Sequence, residues 1–204
     1  MPLLTSVLAL TLFLGTDSVL ADDPPFTVNT FADTVDANTG NETCADSSGQ
    51  CALRAAVMEL NALGGGTIQV PAVTYILTLG TGGSPGANSD DLDITADIII
   101  QGAGSASSTI KRPDSSCNLN GTHYQGEFRL FHVYEDMSFT VRNLTLANGC
   151  ADGSDGGAIS ENAGANVFLE RTVVMGNRAG VRGSGMFMDV NSTLTALQTA
   201  IVYN

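Results

Sequence analysis

Residues 139–149 read FTVRNLTLANG, residues 167–177 read VFLERTVVMGN, and residues 194–204 read LTALQTAIVYN. The three segments start 28 and then 27 residues apart, and a fixed spacing in the twenties is typical of a solenoid. In each segment the first and third residues are apolar, as one face of a β-strand requires. The fifth residue is polar and the eighth is again apolar, so the alternation changes phase at a corner between two short strands.

Two sets of polar residues mark the predicted turns of each segment. The polar residues at the corner are Asn143, Arg171 and Gln198. Asparagines also lie at or near the end of each segment, and such residues readily adopt turn geometry and hydrogen-bond to each other when stacked. These are Asn148, Asn177 and Asn204. A strand, a corner, a strand and a loop, repeated in one direction, predict an all-β coil of parallel strands.

The composition excludes several classes of protein. Of 204 residues, 43% are apolar and 14% are charged, which argues against disorder, and 23 glycines with a single lysine argue against a helix bundle. Asp and Glu outnumber Lys and Arg by 21 to 8, so nucleic acid would be repelled. We expect either a solvated acidic surface or a cationic partner.

The N-terminus predicts export. An apolar run over residues 7–15 is followed by small or apolar residues that end at Ala21, which indicates a secretory signal peptide over residues 1–21. No later stretch is apolar enough to span a membrane. The sequence therefore predicts a secreted or cell-surface protein without a membrane span.

Four cysteines follow in this exported chain, where pairing is the usual state. They permit three pairings. We favour Cys44–Cys51, which closes a short loop, with Cys117–Cys150 left to bridge neighbouring coils. Their spacing contains no CxxC or Cys/His cluster, so a zinc site is not expected.

Residues 22–63 are predicted to form a leader, a first strand at 26–35 and an amphipathic helix at 51–63. The helix follows from the spacing of Leu53, Val57 and Leu60, and three glycines end it. Laid across the first coil, it would cap the core and the unpaired strand edge. Arg54 is expected to pair with nearby carbonyls or carboxylates. Residues 64–204 are predicted to form the coils, with early strands at 67–70 and 75–79 and a strand pair at 92–101.

At this point two motifs carry a family resemblance. Residues 51–56 (CALRAA), followed by Asn61-Ala62, resemble the CSLREA-type N-terminal module of bacterial exported β-helix proteins, with Ala52 and Ala55 in place of Ser and Glu. Residues 156–159 (GGAI) and 174–177 (VMGN) resemble the GGAI…FxxN repeats of polymorphic outer-membrane proteins, with Val174 in place of Phe. The resemblance implies a right-handed parallel β-helix of the pectin-lyase-like superfamily. That fold hosts lyases, hydrolases and adhesins alike, so it does not fix an activity.

The expected role is structural or adhesive: a rigid secreted or surface module that presents loops to a glycan, matrix or cell. The alternative is a calcium-assisted polysaccharide lyase acting on acidic glycans. For that chemistry Asp152 and Asp155 are the candidate calcium ligands. Arg171, Arg178 and Arg182 are the candidate catalytic or carboxylate-binding cations in the next coil. Calcium is the only cofactor for which the sequence offers a candidate.

A glycoside hydrolase would need two carboxylates across a cleft. Asp91 and Asp93 are the pair that can share a strand face, because alternate strand residues point the same way. His123 and His132 lack a neighbouring nucleophile pattern and are predicted to be loop or edge residues. An enzyme should bring acids and a base together from successive coils, whereas an adhesin should show a long face without such convergence.

The last segment is as apolar as the ones before it, with Leu194, Ala196 and Ile201 facing inward. A coil that ends this way exposes its core and one row of backbone groups. We therefore expect either a piece of a longer β-helix or a subunit whose open end docks on another chain.

Overall fold

The computed structural model describes residues 25–80, 88–113, 117–119 and 128–204. This part of the chain is mostly β-structure in parallel sheets with a single α-helix. The elements in chain order are β1 (Phe26–Thr27), α1 (Leu53–Leu63), β2 (Gly65–Val70), β3 (Thr74–Ile76), β4 (Leu92–Ile94), β5 (Asp97–Gly102), β6 (Thr109–Lys111), β7 (Phe131–Val133), β8 (Ser138–Arg142), β9 (Thr145–Ala147), β10 (Cys150–Ala151), β11 (Ile159–Glu161), β12 (Asn166–Glu170), β13 (Val173–Met175), β14 (Arg178–Ala179), β15 (Met186–Met188), β16 (Thr193–Leu197) and β17 (Ala200–Val202). The predicted all-β class is confirmed for these residues. The predicted signal peptide lies outside them.

The strands form three larger parallel sheets and one two-stranded sheet. The six-stranded sheet has the order β1-β2-β5-β8-β12-β16, the five-stranded sheet β3-β6-β9-β13-β17, and the four-stranded sheet β4-β7-β11-β15. The two-stranded sheet pairs β10 with β14. From β4 onward the chain enters the four-, six- and five-stranded sheets in turn, and one such passage is here called a circuit. The four circuits span residues 92–111, 131–147, 159–175 and 186–202.

The sequence repeat matches the strand register. Val167 of β12 lies opposite Phe139 of β8 on one side and opposite Leu194 of β16 on the other. Val174 of β13 likewise lies between Leu146 of β9 and Ile201 of β17. Residues at the same place in the repeat therefore stand side by side, as the spacing predicts.

The predicted change of phase occurs where the backbone enters the left-handed region. Asn143, Arg171 and Gln198 have φ angles of 54°, 48° and 50°. One residue in this conformation turns the chain between two strands, so that Leu146 and Val174 again face the core. Arg171 Nε also donates to Asn143 Oδ1 at 2.6 Å, which joins two neighbouring corners.

The ends of the repeated segments are tied together by side-chain amides. Asn177 donates from its backbone N and from Nδ2 to Asn204 Oδ1, at 3.0 and 2.9 Å. Its own Oδ1 accepts from the backbone N of Gly149 at 2.8 Å. The predicted stacking of asparagines is thus confirmed for Asn177 and Asn204. Asn148, one residue before Gly149, adopts a left-handed turn conformation with φ 60°.

The GGAI segment needs its glycines for two different reasons. Gly156 has φ 67°, which a side chain would strain. At Gly157 the backbone passes so close to the next circuit that a Cβ atom would lie 2.1 Å from the carbonyl oxygen of Ser184. The two glycines therefore allow the loop before β11 to pack directly on the following circuit.

Helix α1 covers one end of the core. Leu53, Val57 and Leu60 are buried on its inner face, as the sequence predicts, and the helix contacts β2, β4 and β5. It ends at Gly64, which adopts the left-handed conformation and donates its N–H to the Leu60 carbonyl oxygen. The helix begins at Leu53, two residues later than predicted.

Arg54, in the first turn of this helix, is fully buried and is paired, as expected. Its Nε donates to Asp33 Oδ1 at 2.6 Å, and its Nη2 donates to the backbone oxygen of Asp90 at 2.9 Å. Asp33 also accepts the backbone N–H groups of Thr78 and Leu79 at 2.6 and 2.8 Å. A buried charge is tolerated only when it is paired and hydrogen-bonded in this way.

Several predicted strand boundaries are wrong. The first strand covers only Phe26–Thr27 rather than residues 26–35. Beyond it, Thr30 and Asp33 direct their side chains to backbone groups, a local alternative to sheet pairing. The pair predicted at 92–101 forms β4 and β5, and the strand predicted at 75–79 ends at Ile76.

Both favoured disulfides are present, Cys44–Cys51 and Cys117–Cys150, and no cysteine is free. The second bond links the segment between the first and second circuits to the start of β10. Among the described residues, no helix has the length and apolar character needed to cross a bilayer.

Candidate functional site

The four-stranded sheet carries a row of residues that face away from the apolar core, one from each circuit; two of them, Asp93 and Ser160, are nonetheless buried. Asp93 lies opposite His132, His132 opposite Ser160, and Ser160 opposite Phe187. In each of the first two strands the row residue stands between two buried apolar residues. These flanking residues are Leu92 and Ile94 in β4, and Phe131 and Val133 in β7. Because successive strand residues alternate in direction, burial of the flanking pair turns the polar residue outward.

Asp91 joins the row from just before β4. One ligand atom each from Asp91, Asp93 and His132 lies within 4.8 Å of the other two. The prediction that the two aspartates share a face therefore agrees with their placement. The prediction for His132 was wrong: it lies inside the sheet, between β4 and β11, and not in a loop or at an edge. His123 lies outside the described residues.

Arg129 connects this acidic pair to the loop that precedes the third circuit. Its Nε contacts Asp91 Oδ2 at 3.1 Å, and its Nη2 donates to Ser154 Oγ at 2.5 Å. The arginine and aspartate side chains are 16% and 19% exposed, so the pair is only partly screened by solvent.

His132 is held from both sides of its ring. Nδ1 lies 3.5 Å from Asp93 Oδ1, and Nε2 lies 2.9 Å from Asn162 Oδ1 in the third circuit. The ring also packs against Tyr134, with centroids 4.7 Å apart. Acids from the first circuit, a histidine from the second and an amide from the third thus meet on one outer face.

The electrostatics of this group differ from those of isolated side chains. Burial raises the pKa of Asp91 to about 6; the Arg129 charge opposes this rise and the Asp93 charge adds to it. Burial lowers the pKa of His132, but its contacts with Asp93 and Asn162 outweigh that effect, so the net pKa lies above its ordinary value. Burial and then the negative charges of Asp93 and Asp91 raise the pKa of Tyr134.

A second cluster extends the row at the fourth circuit. Arg182 makes a two-point contact with Asp155, with Nε–Oδ1 at 3.1 Å and Nη2–Oδ2 at 2.7 Å. Its guanidinium carbon lies 4.1 Å from the centroid of the Phe187 ring. Such stacking combines a cation with an aromatic face. Ser154, the partner of Arg129, immediately precedes Asp155 in the chain.

The residues predicted for a calcium-assisted lyase are only partly brought together. Arg171 contacts Asn143 and Glu170 at a corner, and Arg178 opens β14 opposite Cys150. Of the two predicted calcium ligands, Asp152 is buried and Asp155 is engaged by Arg182. Within the described residues, Asp91, Asp93 and His132 form the one group of three with metal-ligating geometry.

Sequence reasoning missed Arg129, His132 and Asn162 as site residues. A signal for His132 was present, because residues 92–94 (LDI) and 131–133 (FHV) have the same apolar–polar–apolar pattern. Aligning these triplets would have placed His132 beside Asp93. No comparable signal exists for Asn162, which lies one residue beyond β11.

No family model matches this chain, and none of the curated proteins or solved structures matches it either. The resemblance to CSLREA-type and polymorphic outer-membrane proteins therefore stays a prediction. The described geometry defines a mostly parallel β protein with an acid–histidine–arginine cluster on the outer face of one sheet.

Proposed function

We propose that the chain is an exported right-handed parallel β-helix, and that its circuits are the coils of that helix. The regular rotation through three parallel sheets supports this fold. Two disulfides, together with the signal-like sequence at residues 1–21, support a secreted or cell-surface location, since such bonds persist in oxidising compartments.

We further propose that the module binds a glycan along the row formed by Asp93, His132, Ser160 and Phe187. The observation that carries this proposal is the convergence of polar side chains from successive circuits on one rigid outer face. Carboxylate, imidazole and hydroxyl groups pair with sugar hydroxyls, and an aromatic ring offers an apolar face to the sugar ring. Side chains fixed on strands hold their geometry more closely than side chains on loops.

The test is binding of the mature protein to a panel of soluble and insoluble polysaccharides, followed by two variants. Asp93→Asn and His132→Gln should each weaken binding by about tenfold or more, as expected for central contacts. Asp97→Asn, in the neighbouring strand β5, is the matched control and should bind like the parent. Failure to bind any glycan, or equal loss in the control, would overturn the proposal.

A second candidate function, glycan cleavage, is favoured by one observation. Asp91 and Asp93 share a face beside His132 and Arg129, and a carboxyl pair is the usual machinery of glycoside hydrolysis. The expected calcium-assisted lyase is the other form of this candidate. Incubation with bound glycans distinguishes the three roles: new reducing ends alone indicate hydrolysis, unsaturated ultraviolet-absorbing ends indicate a lyase, and neither product indicates binding alone.

A further inference from the structure

We propose that Asp91, Asp93 and His132 form a binding site for one divalent transition-metal ion of the Zn²⁺ or Mn²⁺ kind. The site would use two carboxylate oxygens and the Nδ1 nitrogen of the imidazole. This inference does not depend on glycan binding, and it places the ion away from the predicted calcium ligands Asp152 and Asp155.

The first argument is the separation of the ligand atoms. His132 Nδ1 and Asp93 Oδ1 are 3.5 Å apart. That distance is longer than a charge-assisted hydrogen bond, which is about 2.8 Å. Ligands held at about 2.1 Å in a tetrahedron lie about 3.4 Å from each other. The third ligand atom, from Asp91, completes a triangle in which no side exceeds 4.8 Å, so small side-chain rotations close it around one ion.

The second argument is independent of the ligand set and comes from Asn162. Its Oδ1 lies 2.9 Å from His132 Nε2, and an amide oxygen can only accept, so the ring proton lies on Nε2. In the neutral ring, Nδ1 then presents its lone pair to the Asp93 carboxylate. Either a proton on Nδ1 or a metal ion in its place then lies between the imidazole and the carboxylate. A histidine that donates its other N–H to a fixed oxygen is the usual arrangement of a metal ligand.

The third argument is charge. Asp91 and Asp93 bring two carboxylates beside the imidazole of His132, and Arg129 contacts Oδ2 of Asp91. Two carboxylate ligands carry the charge that balances one divalent ion. One nitrogen with two oxygens suits Zn²⁺ or Mn²⁺ better than Ca²⁺, which prefers six or more oxygen ligands. Three protein ligands also leave coordination positions open.

Calorimetric titration of chelator-treated mature protein with Zn²⁺, and separately with Mn²⁺, tests the site. We expect one ion per chain. His132→Gln and Asp93→Asn should each weaken binding by about 100-fold, and Asn162→Ala by about tenfold, the usual effect of removing a supporting contact. Thermal unfolding without metal establishes that each variant is folded.

Two controls separate this site from others. His123→Gln removes the only other histidine of the chain, and Asp155→Asn removes a predicted calcium ligand; both should bind like the parent. In the parent protein, Mn²⁺ should broaden the imidazole NMR signals of His132 first. No binding, binding unchanged by His132→Gln, or equal loss in a control would overturn the proposal. Because the probe is the metal alone, these outcomes are distinct from a failure to bind glycan.

Discussion

Glu161 is a buried carboxyl group that faces the core. It lies at the end of β11, opposite Val133 on one side and Met188 on the other, and it is fully buried. Neither carboxylate oxygen has a hydrogen-bond partner, and the nearby Ser192 hydroxyl donates to the Asp189 carbonyl oxygen at 2.8 Å. Burial raises the pKa of Glu161 to about 7, an effect that Ser192 opposes only in part.

This pKa makes the stability of the protein depend on pH. The folded protein holds the Glu161 proton to about pH 7, whereas the unfolded chain releases it near the ordinary value of 4.5. The folded state thus binds more protons between these values, so stability falls as the pH rises through them. Glu161→Gln removes the free-energy cost of ionising this buried carboxyl group. We expect it to stabilise the protein at pH 8.5 by on the order of 2 kcal/mol, allowing for some screening by solvent, with little effect at pH 4.5.

Denaturant unfolding at both pH values measures the difference. Glu170→Gln, on the outer face of β12 beside Arg142, is the control and should show no such pH-dependent gain. An equal stability of Glu161→Gln and the parent at pH 8.5 would mean that the carboxylate is solvated in solution.

Individual residues were predictable from sequence where a physical rule allows one answer. A buried arginine must be paired, and Arg54 is paired with Asp33. Glu161 shows the opposite case: strand alternation places residue 161 inward with Ile159, while its charge argues for solvent. The structure follows the alternation, because reversing β11 would turn the Ile159 side chain out of the core.

At the scale of elements, α1 covers the apolar end of the core next to β2. Its inner residue Leu53 is buried, whereas Leu63 at the opposite end is 41% exposed. Leu53→Asp would place an unpaired charge in the core and remove apolar contacts. We expect it to destabilise the protein by at least ~3 kcal/mol.

Leu63→Asp introduces the same chemistry on the exposed side of the same helix and should cost less than about 1 kcal/mol. Thermal unfolding monitored by circular dichroism compares the two variants. Similar melting temperatures for both would contradict the capping role of α1.

Elements with a strong period were predicted well, and elements shaped by distant partners were not. The helix and the strands of the repeated segments follow from apolar spacing alone. The first strand was predicted too long, because apolar and polar residues alternate over residues 26–35 as they do in a single strand. Nothing in that stretch shows that Asp33 turns toward Arg54 and the backbone of Thr78, which are remote in the chain.

For the whole molecule, burial falls from the middle circuits to the fourth. Strand β8 has a paired neighbour on each side and buries Phe139 and Val141. In the fourth circuit Ala196, in register with Val141 through Leu169, is exposed, and Ile201 is 44% exposed. Local opening should therefore be easier in β16 and β17. We expect amides of β8 to exchange with solvent at least ~100-fold more slowly than those of β17.

Hydrogen exchange measured at several protein concentrations checks this expectation. The dilute protein provides the reference state, since association would cover the exposed strands. Protection of β17 equal to that of β8 at low concentration would contradict the gradient.

The site was harder to predict than the fold because it belongs to no single segment. Asp93, His132 and Asn162 are separated by 39 and 30 residues in sequence, and only the register of three circuits brings them together. The 39 residues between Asp93 and His132 exceed the repeat spacing of 27 or 28, because a longer stretch of chain joins the first circuit to the second. A search at the repeat spacing therefore does not align Asp93 with His132. The predicted pair Asp91 and Asp93 was accessible to reasoning because both lie in one strand region.

The row on the four-stranded sheet has a consequence for how such a protein can change through evolution. Each circuit contributes one residue to the row, and neighbours above and below meet it through the same backbone pairing. A tandem duplication of one 27- or 28-residue segment would add one place to the row without altering the contacts of the others. A single point mutation likewise changes one place while the flanking residues that face the core stay the same. New ligand chemistry can therefore arise one position at a time, with the core inherited unchanged.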